Sequence, residues 1–278
     1  MRIFGCFLIA SLATVALAPN THAASGNDPA LQAGFRAMYN LDFAASRQHF
    51  EDYVRRRSDA PIGYAAQAAC VLFAELDRLQ VLDAEFYTDD KKLFDEPKAT
   101  PDPGVKRRLF ELTGRARQLA GELKRREPTS EDALFALAFS NGLEADYTFL
   151  VEKSIRAAAK PGRAGYENAK RLLQVNPEFH DAYIWTGVTN YVVASLPAPM
   201  RWLAKLRGYP GSKETASKNL RMAAENGTLL KPYAKILLVV IHLREKKKPA
   251  AQALLAELSL EFPENPLFAK HARRLQTP

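Results

Sequence analysis

The chain has 278 residues, of which 47 % are hydrophobic and 25 % are charged, and 39 Lys and Arg stand against 31 Asp and Glu. This composition is typical of a globular protein with a sizeable core and excludes a disordered tail. With 14 Gly and 17 Pro and no Gly-x-y period, the chain is neither collagen-like nor a low-complexity linker. Its 2 cysteines exclude a scaffold held together by several disulfides.

The N-terminal segment has the pattern of a secretory signal. Arg2 provides a positive start, residues 3–18 are almost wholly apolar, and Thr21, His22 and Ala23 lead to a cleavage site before Ala24. The apolar run is shorter than the roughly 20 residues that cross a bilayer, which disfavours the alternative of an uncleaved anchor. We therefore predict a signal peptide at 1–23 and a single mature domain at 24–278, exported to a bacterial periplasm or beyond the cell.

Helical periodicity continues through the mature chain, with almost no alternating strand pattern. The prediction is an all-α fold of helical hairpins, because consecutive helices are joined by short turns. The predicted helices cover residues 29–40, 43–57, 62–81, 104–126, 131–153, 165–175, 180–195, 200–206, 213–226, 232–245, 249–261 and 266–275.

Small and bulky residues recur at fixed offsets along these hairpins. Counting back from Pro263 as position 32 places Leu238 at 7, Ala251 at 20 and Leu255 at 24 of a unit of about 34 residues. Similar counts give Gly34, Phe43, Ser46 and Phe50 in the first hairpin, Ala116 and Ala120 in the second, and Gly165 and Ala169 in the third. Small residues are needed where two helices of a hairpin cross closely.

On these residues the chain resembles the tetratricopeptide-repeat (TPR) superfamily. The resemblance implies an α-solenoid of about five degenerate TPR-like hairpins with a C-terminal capping helix at 266–275. Irregular spacing predicts insertions at 82–103, 147–162 and 196–210. Residues 206–213 are also similar to the Gly-Phe-x-Gly-Asp turn of a eukaryotic TPR family of the outer mitochondrial membrane, with Ser212 in place of Asp. Only an inter-repeat turn is expected from that short match.

The superfamily implies binding of a protein or peptide in the concave groove lined by the first helix of each hairpin, without catalysis. The groove positions are apolar, unlike those of TPRs that clamp a carboxylate. They are Phe35, Met38, Tyr39, Phe73, Phe135, Phe139, Ile184, Val188 and Tyr191. Two alternatives stay open: inserted segments fill the groove, especially 200–206 with Trp202, or a hydrophobic ligand or partner helix enters it.

Known catalytic motifs are missing from the sequence. The mature histidines (His49, His180, His242 and His271) are scattered singly, and Cys70 lies in an apolar helical run typical of a buried, inert thiol. Glu144 and Asp146 are expected to point apart and to lie on the surface. No cofactor, metal or nucleic acid is expected, and basic clusters near helix ends suggest at most weak contact with an anionic membrane surface.

The sequence thus predicts a non-catalytic exported interaction module of TPR type with an unidentified protein or peptide partner. The alternative is a carrier of a hydrophobic small molecule or lipid in the apolar groove, and an enzyme of unrecognised type ranks third. A filled groove would move partner binding to the convex face or to the acidic loop at 83–96.

Overall fold

A computed structural model describes residues 25–82, 100–209 and 211–276. Within these ranges the chain forms twelve α-helices and two short 3-10 turns, and no strand, which confirms the all-α prediction. The helices are α1 Pro29–Tyr39, α2 Phe43–Arg56, α3 Pro61–Arg78, α4 Pro103–Arg126, α5 Glu131–Leu150, α6 Ile155–Val175, α7 Tyr183–Ser195, α8 Ala198–Leu206, α9 Lys213–Asn226, α10 Lys231–Arg244, α11 Lys248–Glu261 and α12 Pro266–Gln276. The predicted signal segment and the acidic loop at 83–96 lie outside the described residues.

Side-chain caps explain where many of the helices begin. Asp42 accepts a hydrogen bond from the amide of Ala45 at 2.9 Å, and Ser212 accepts one from Thr215 at 3.1 Å. These bonds satisfy amide groups that have no partner inside the helix. Caps of the same kind stand before α1, α4, α5 and α6, at Asp28, Asp102, Ser130 and Ser154.

Helix α6 begins ten residues earlier than the sequence predicts, so most of the insertion expected at 147–162 is helical. Ser154 accepts a hydrogen bond from the amide of Ala157 at 3.3 Å and starts the helix there. Pro161 lies inside the helix, where its ring nitrogen cannot donate to the carbonyl of Ala157. Proline therefore interrupts one hydrogen bond without ending the helix, and α5 and α6 form a long pair.

The helices pack in chain order as pairs. Helix α1 packs on α2, α3 on α4, α5 on α6, α7 on α9 and α10 on α11. The second helix of each pair also contacts the first helix of the next pair, and α12 covers the end of α11. Helix α8 is the exception. It is inserted in the sequence between the paired helices α7 and α9, and it contacts few other elements.

Glycines mark two of the closest helix contacts. A β-carbon added to Gly34 of α1 would lie 2.3 Å from Cε1 of Phe50 in α2, and one added to Gly187 of α7 would lie 2.8 Å from Cγ of Leu220 in α9. Real β-carbons are not found at such distances, so no larger residue fits without displacing its partner. These glycines let large apolar side chains fill the space between paired helices.

The first helix also packs against the last hairpin. Nδ2 of Asn265 donates a hydrogen bond to the carbonyl of Tyr39 at 2.8 Å, and the Tyr39 hydroxyl donates to the carbonyl of Leu229 at 3.3 Å. The rings of Tyr39 and Phe262 lie 5.5 Å apart, centroid to centroid. Residues near the two ends of the described chain therefore share one buried contact.

Asp181 supplies the cap that helix α10 lacks in its own sequence. Its buried carboxylate accepts hydrogen bonds from the amides of Thr228, Leu229 and Leu230 at 3.0, 3.0 and 3.1 Å. Burial raises the pKa of Asp181, while the three amide donors act to lower it. The short 3-10 turn before α7 is thereby tied to the start of α10.

Candidate functional site

The residues predicted to line an open groove lie in the interior of the protein. The buried ones, each at most 5 % exposed, are Phe35, Met38, Tyr39, Phe135, Phe139 and Ile184. Phe73, Val188 and Tyr191 are half-buried. The rings pack on one another, with centroids 6.1 Å apart for Phe35 and Phe139 and 6.0 Å apart for Phe135 and Trp185. Six of the nine side chains thus belong to the core, and the other three pack at its edge, where part of each remains accessible.

Helix α8 does not fill the interior, which corrects the expectation that residues 200–206 with Trp202 occupy the groove. None of its residues is buried, and Trp202 is 65 % exposed. The interior is instead bridged by α10, whose Tyr233 ring meets the ring of Phe73 in α3 edge to face at 5.8 Å. Half-buried aromatic side chains of two pairs that do not follow each other in the chain are thus in contact.

Two acidic residues of α5 contact side chains of other helices. Glu144 is 8 % exposed, accepts a hydrogen bond from Thr113 at 2.5 Å and forms an ion pair with Arg117 of α4. Asp146 accepts a hydrogen bond from the hydroxyl of Tyr233, and burial raises its pKa to about 7. The two carboxylates point to different helices, as predicted. The expected surface placement is wrong for Glu144, which is buried, and Asp146 is half-buried.

Helix α8 presents its apolar side outward. Met200, Trp202, Leu203 and Leu206 are 56, 65, 43 and 64 % exposed, and they account for four of the seven large apolar residues exposed in the described chain. Arg201 points the other way, because its guanidinium donates a hydrogen bond to the carbonyl of Ala194 in α7 at 3.2 Å. Every residue of α8 except Ala204 is exposed, Arg201 included, so the helix leaves its apolar residues open to solvent instead of burying them as a surface helix usually does.

The turn after α8 fixes the helix to the rest of the protein. Gly208 has a φ of 82°, a left-handed conformation that favours glycine. The Tyr209 hydroxyl donates a hydrogen bond to Glu167 of α6 at 2.9 Å, and its ring lies 5.4 Å from that of Tyr166. A β-carbon on Gly211 would lie 2.7 Å from the amide nitrogen of Ala194. This segment joins α8 to α9 and packs against α6 and α7. The inter-repeat turn expected there stays a prediction.

Two clefts adjoin α8, and Arg201 lines both. One, of about 420 Å³, is also lined by Tyr191, Lys213, Arg244 and Glu245. The other, of about 460 Å³, is also lined by Trp202, Lys205 and Gly211. Glu245 pairs with Lys213 at 2.6 Å, so basic groups remain in excess around the helix. The surface around α8 therefore combines exposed apolar side chains with an excess of Lys and Arg side chains.

Candidate reactive groups are dispersed or buried. Cys70 is 3 % exposed, as predicted; its sulfur donates to the carbonyl of Phe43 at 3.5 Å, and burial raises its pKa. Burial also lowers the pKa of His242. Within residues 25–82, 100–209 and 211–276, no three His, Cys, Asp or Glu residues form a group suited to a metal. No helix in these ranges has the length and apolar character needed to span a bilayer.

Comparison with other proteins adds no assignment. No protein-family model matches the chain, and no similar sequence is found among curated proteins. Fold, burial and charge therefore carry the functional inference.

Proposed function

We propose that this chain is an exported, non-catalytic interaction module of TPR type that binds a protein or peptide partner. The observation that carries the proposal is the succession of five helix pairs with a small residue at each close crossing. The signal-like segment at 1–23 supports export. TPR solenoids are built from such pairs, with a final helix that covers the last one. Here the first and last pairs also meet, through Tyr39 and Asn265.

The repeat positions identified in the sequence support this proposal by their burial. Ala251, Leu255 and Leu258 of the last pair are at most 3 % exposed, and the corresponding Ala116 and Ala169 of earlier pairs are fully buried. In the first pair Gly34 lies close to Phe50 of the facing helix, and Ser46 is fully buried. Residue size at these positions follows the needs of helix crossing, which favours a repeated unit over an irregular bundle.

We place partner binding on the outer surface of the helix pairs. In an open solenoid a peptide would contact residues such as Phe35 and Phe139, but here their rings pack on each other at 6.1 Å. The same packing argues against the carrier of a hydrophobic small molecule, since a ligand would have to displace Tyr233, Phe73 and their neighbours. The acidic loop at 83–96, outside the described residues, remains a second contact surface in this proposal.

The proposal is tested by recovering partners of the mature chain from its own envelope extract. Photo-cross-linking residues are placed at exposed positions of outer helices, Gln48 in α2, Lys170 in α6 and Lys218 in α9. Buried Leu134 serves as the matched control. We expect one specific protein to be cross-linked from an outer position and none from position 134. Recovery of a stoichiometric lipid with no protein would overturn the proposal in favour of the carrier.

A further inference from the structure

We infer that helix α8 docks the protein on the surface of an anionic phospholipid bilayer. This inference goes beyond the proposed function, because a protein partner on the outer helices does not require membrane contact. It rests on three observations: the outward apolar face of α8, the charge of the chain around it, and the contacts that hold the helix in this orientation.

The apolar face has the composition of an interfacial helix. At about 100° per residue, Trp202, Leu206 and Leu203 fall within an arc of about 100°. Arg201 lies about 150° from the middle of that arc, on the side facing α7. Trp and Leu on one side of a helix with Lys and Arg on the other are typical of helices that lie in the headgroup region of a membrane.

The chain segment that carries α8 has charges of one sign only. Residues 182–213 contain no Asp or Glu, and they contain Arg201, Lys205, Arg207 and Lys213. Lys205 and Arg207 are exposed at the same end of the helix as Leu206. Basic side chains beside an inserted apolar face are attracted to phosphatidylglycerol and similar anionic lipids.

The dimensions of the face favour a bilayer over a protein. Helix α8 has 9 residues, so its apolar strip is about 14 Å long and one helix wide. A stable protein interface covers roughly 800 Å² on each partner, well above what one such strip offers. A lipid surface needs no complementary groove, and partial insertion of a few side chains gives reversible binding.

The contacts of α8 keep its apolar face outward. The hydrogen bond from Arg201 to Ala194 holds its beginning, and the bond from Tyr209 to Glu167 holds the turn behind it, at 3.2 and 2.9 Å. Arg163 also stacks on the Tyr209 ring at 5.5 Å. The side chains that would insert are therefore already exposed in the free protein. Because the helix is already held in place, binding costs little conformational entropy.

The test is co-sedimentation of the mature chain with phosphatidylcholine vesicles that contain either no anionic lipid or about one-third phosphatidylglycerol. We expect binding to the anionic vesicles, weakened by salt, and a blue shift of Trp202 emission. The chain has 2 Trp, and Trp202 is the exposed one, since Trp185 packs against Phe135 and Phe139 in the interior.

Two double variants separate the apolar and the basic contributions. W202S/L206S should weaken vesicle binding at least about tenfold, because two inserted side chains are lost. K205E/R207E should weaken it by a similar factor on anionic vesicles. The controls are L260S, at an apolar residue 86 % exposed on α11, and R125E/R126E, which changes the net charge equally at the exposed end of α4. Both controls should bind as the unmodified chain does.

Three results would overturn the inference. One is no binding to anionic vesicles by the unmodified chain. Another is equal loss in the R125E/R126E control, which would indicate only a general charge effect. The third is a dimer in light scattering that W202S/L206S dissociates without any vesicle binding, which would assign α8 to contact with a second copy. If W202S/L206S loses vesicle binding but still recovers the cross-linked protein partner, the docking and the partner proposals both stand.

Discussion

The hydroxyl of Tyr233 in α10 donates a hydrogen bond to Oδ2 of Asp146 in α5, with 3.4 Å between the two oxygens. Phe73 of α3 lies edge to face against the same Tyr233 ring. Three helices from three different pairs therefore meet around the Tyr233 side chain, which is half-buried. Burial raises the pKa of the Asp146 carboxyl group to about 7 from the ordinary value of 3.8, so its charge changes near neutral pH.

The first prediction concerns pH. Between about pH 4 and 7 the folded protein keeps the Asp146 proton that the unfolded chain has released, so this group lowers the free energy of unfolding as pH rises through that window. Since one pKa unit corresponds to about 1.4 kcal/mol, the loss between pH 4 and 8 is on the order of 2–4 kcal/mol. Asp146→Asn should remove most of this slope, measured by urea unfolding across the pH range.

The matched control for Asp146→Asn is Asp59→Asn, at an exposed site outside the core. That variant should keep the pH slope of the unmodified chain. Equal slopes for Asp146→Asn and the unmodified chain would show that the Asp146 carboxyl group is not the one that titrates.

The second prediction concerns the crossing of α1 and α2. Gly34→Ala places a methyl group 2.3 Å from the Phe50 ring and should lower the free energy of unfolding by about 1–3 kcal/mol. Gly114→Ala in α4 is the control, because nothing lies within 4 Å of the added carbon. Alanine is the better helix former, so Gly114→Ala should raise stability by about 0.5–1 kcal/mol. Thermal unfolding that ranks the two variants in the opposite order would contradict the observed packing.

The third prediction concerns the cap that Asp181 provides to α10. Asp181→Ala leaves the amides of residues 228–230 without their acceptor, and Leu229 and Leu230 are each 2 % exposed. The expected loss is about 3–5 kcal/mol, because each buried unpaired amide costs about 1–3 kcal/mol. Asp42→Ala removes an ordinary exposed cap and should cost about 1 kcal/mol. Similar losses of unfolding free energy for both variants in denaturant unfolding would show that the Asp181 hydrogen bonds stabilise the protein no more than an ordinary helix cap does.

The fourth prediction concerns the contact between the two ends of the chain. Asn265→Ala removes the donor to the Tyr39 carbonyl, and we expect a loss of about 1–3 kcal/mol with faster amide hydrogen exchange in both α1 and α12. Asn176→Ala is the matched control, since Asn176 also bridges a turn to a neighbouring helix, donating to Glu131 at 3.1 Å. It should speed exchange only near α5 and α6. Unchanged exchange in α1 for Asn265→Ala would mean that the ends are not coupled.

The positions of the helices were predictable because their signals are local. Asp42, Ser130 and Ser212 cap helices within three residues of their own position. Only α6 departs by more than three residues at its start, because Pro161 is tolerated inside it. A proline early in a helix costs less when the long partner helix packs along its whole length, and sequence alone does not reveal that packing.

Whether the apolar helix faces are buried or exposed could not be predicted from the local sequence pattern. Phe35 and Phe139 have the spacing of groove residues, but whether a groove is open depends on contacts such as Tyr39 with Asn265, which are 226 residues apart. The same limit applies to α8. Trp202 and Leu206 are consistent with either burial or exposure, and the absence of acids over 182–213 is the one sequence signal that favours an outward face.

The contact between Tyr39 and the 262–265 segment also constrains how the protein reaches its final form. Closing so long a loop carries an entropic cost and waits for the last hairpin to exist. During synthesis, α1 emerges first, yet its aromatic side chains remain without Phe262 until nearly the whole chain has been made. The early intermediate therefore exposes Phe35 and Tyr39 to other hydrophobic surfaces, and a chaperone that shields nascent aromatic segments should improve the yield of the folded protein.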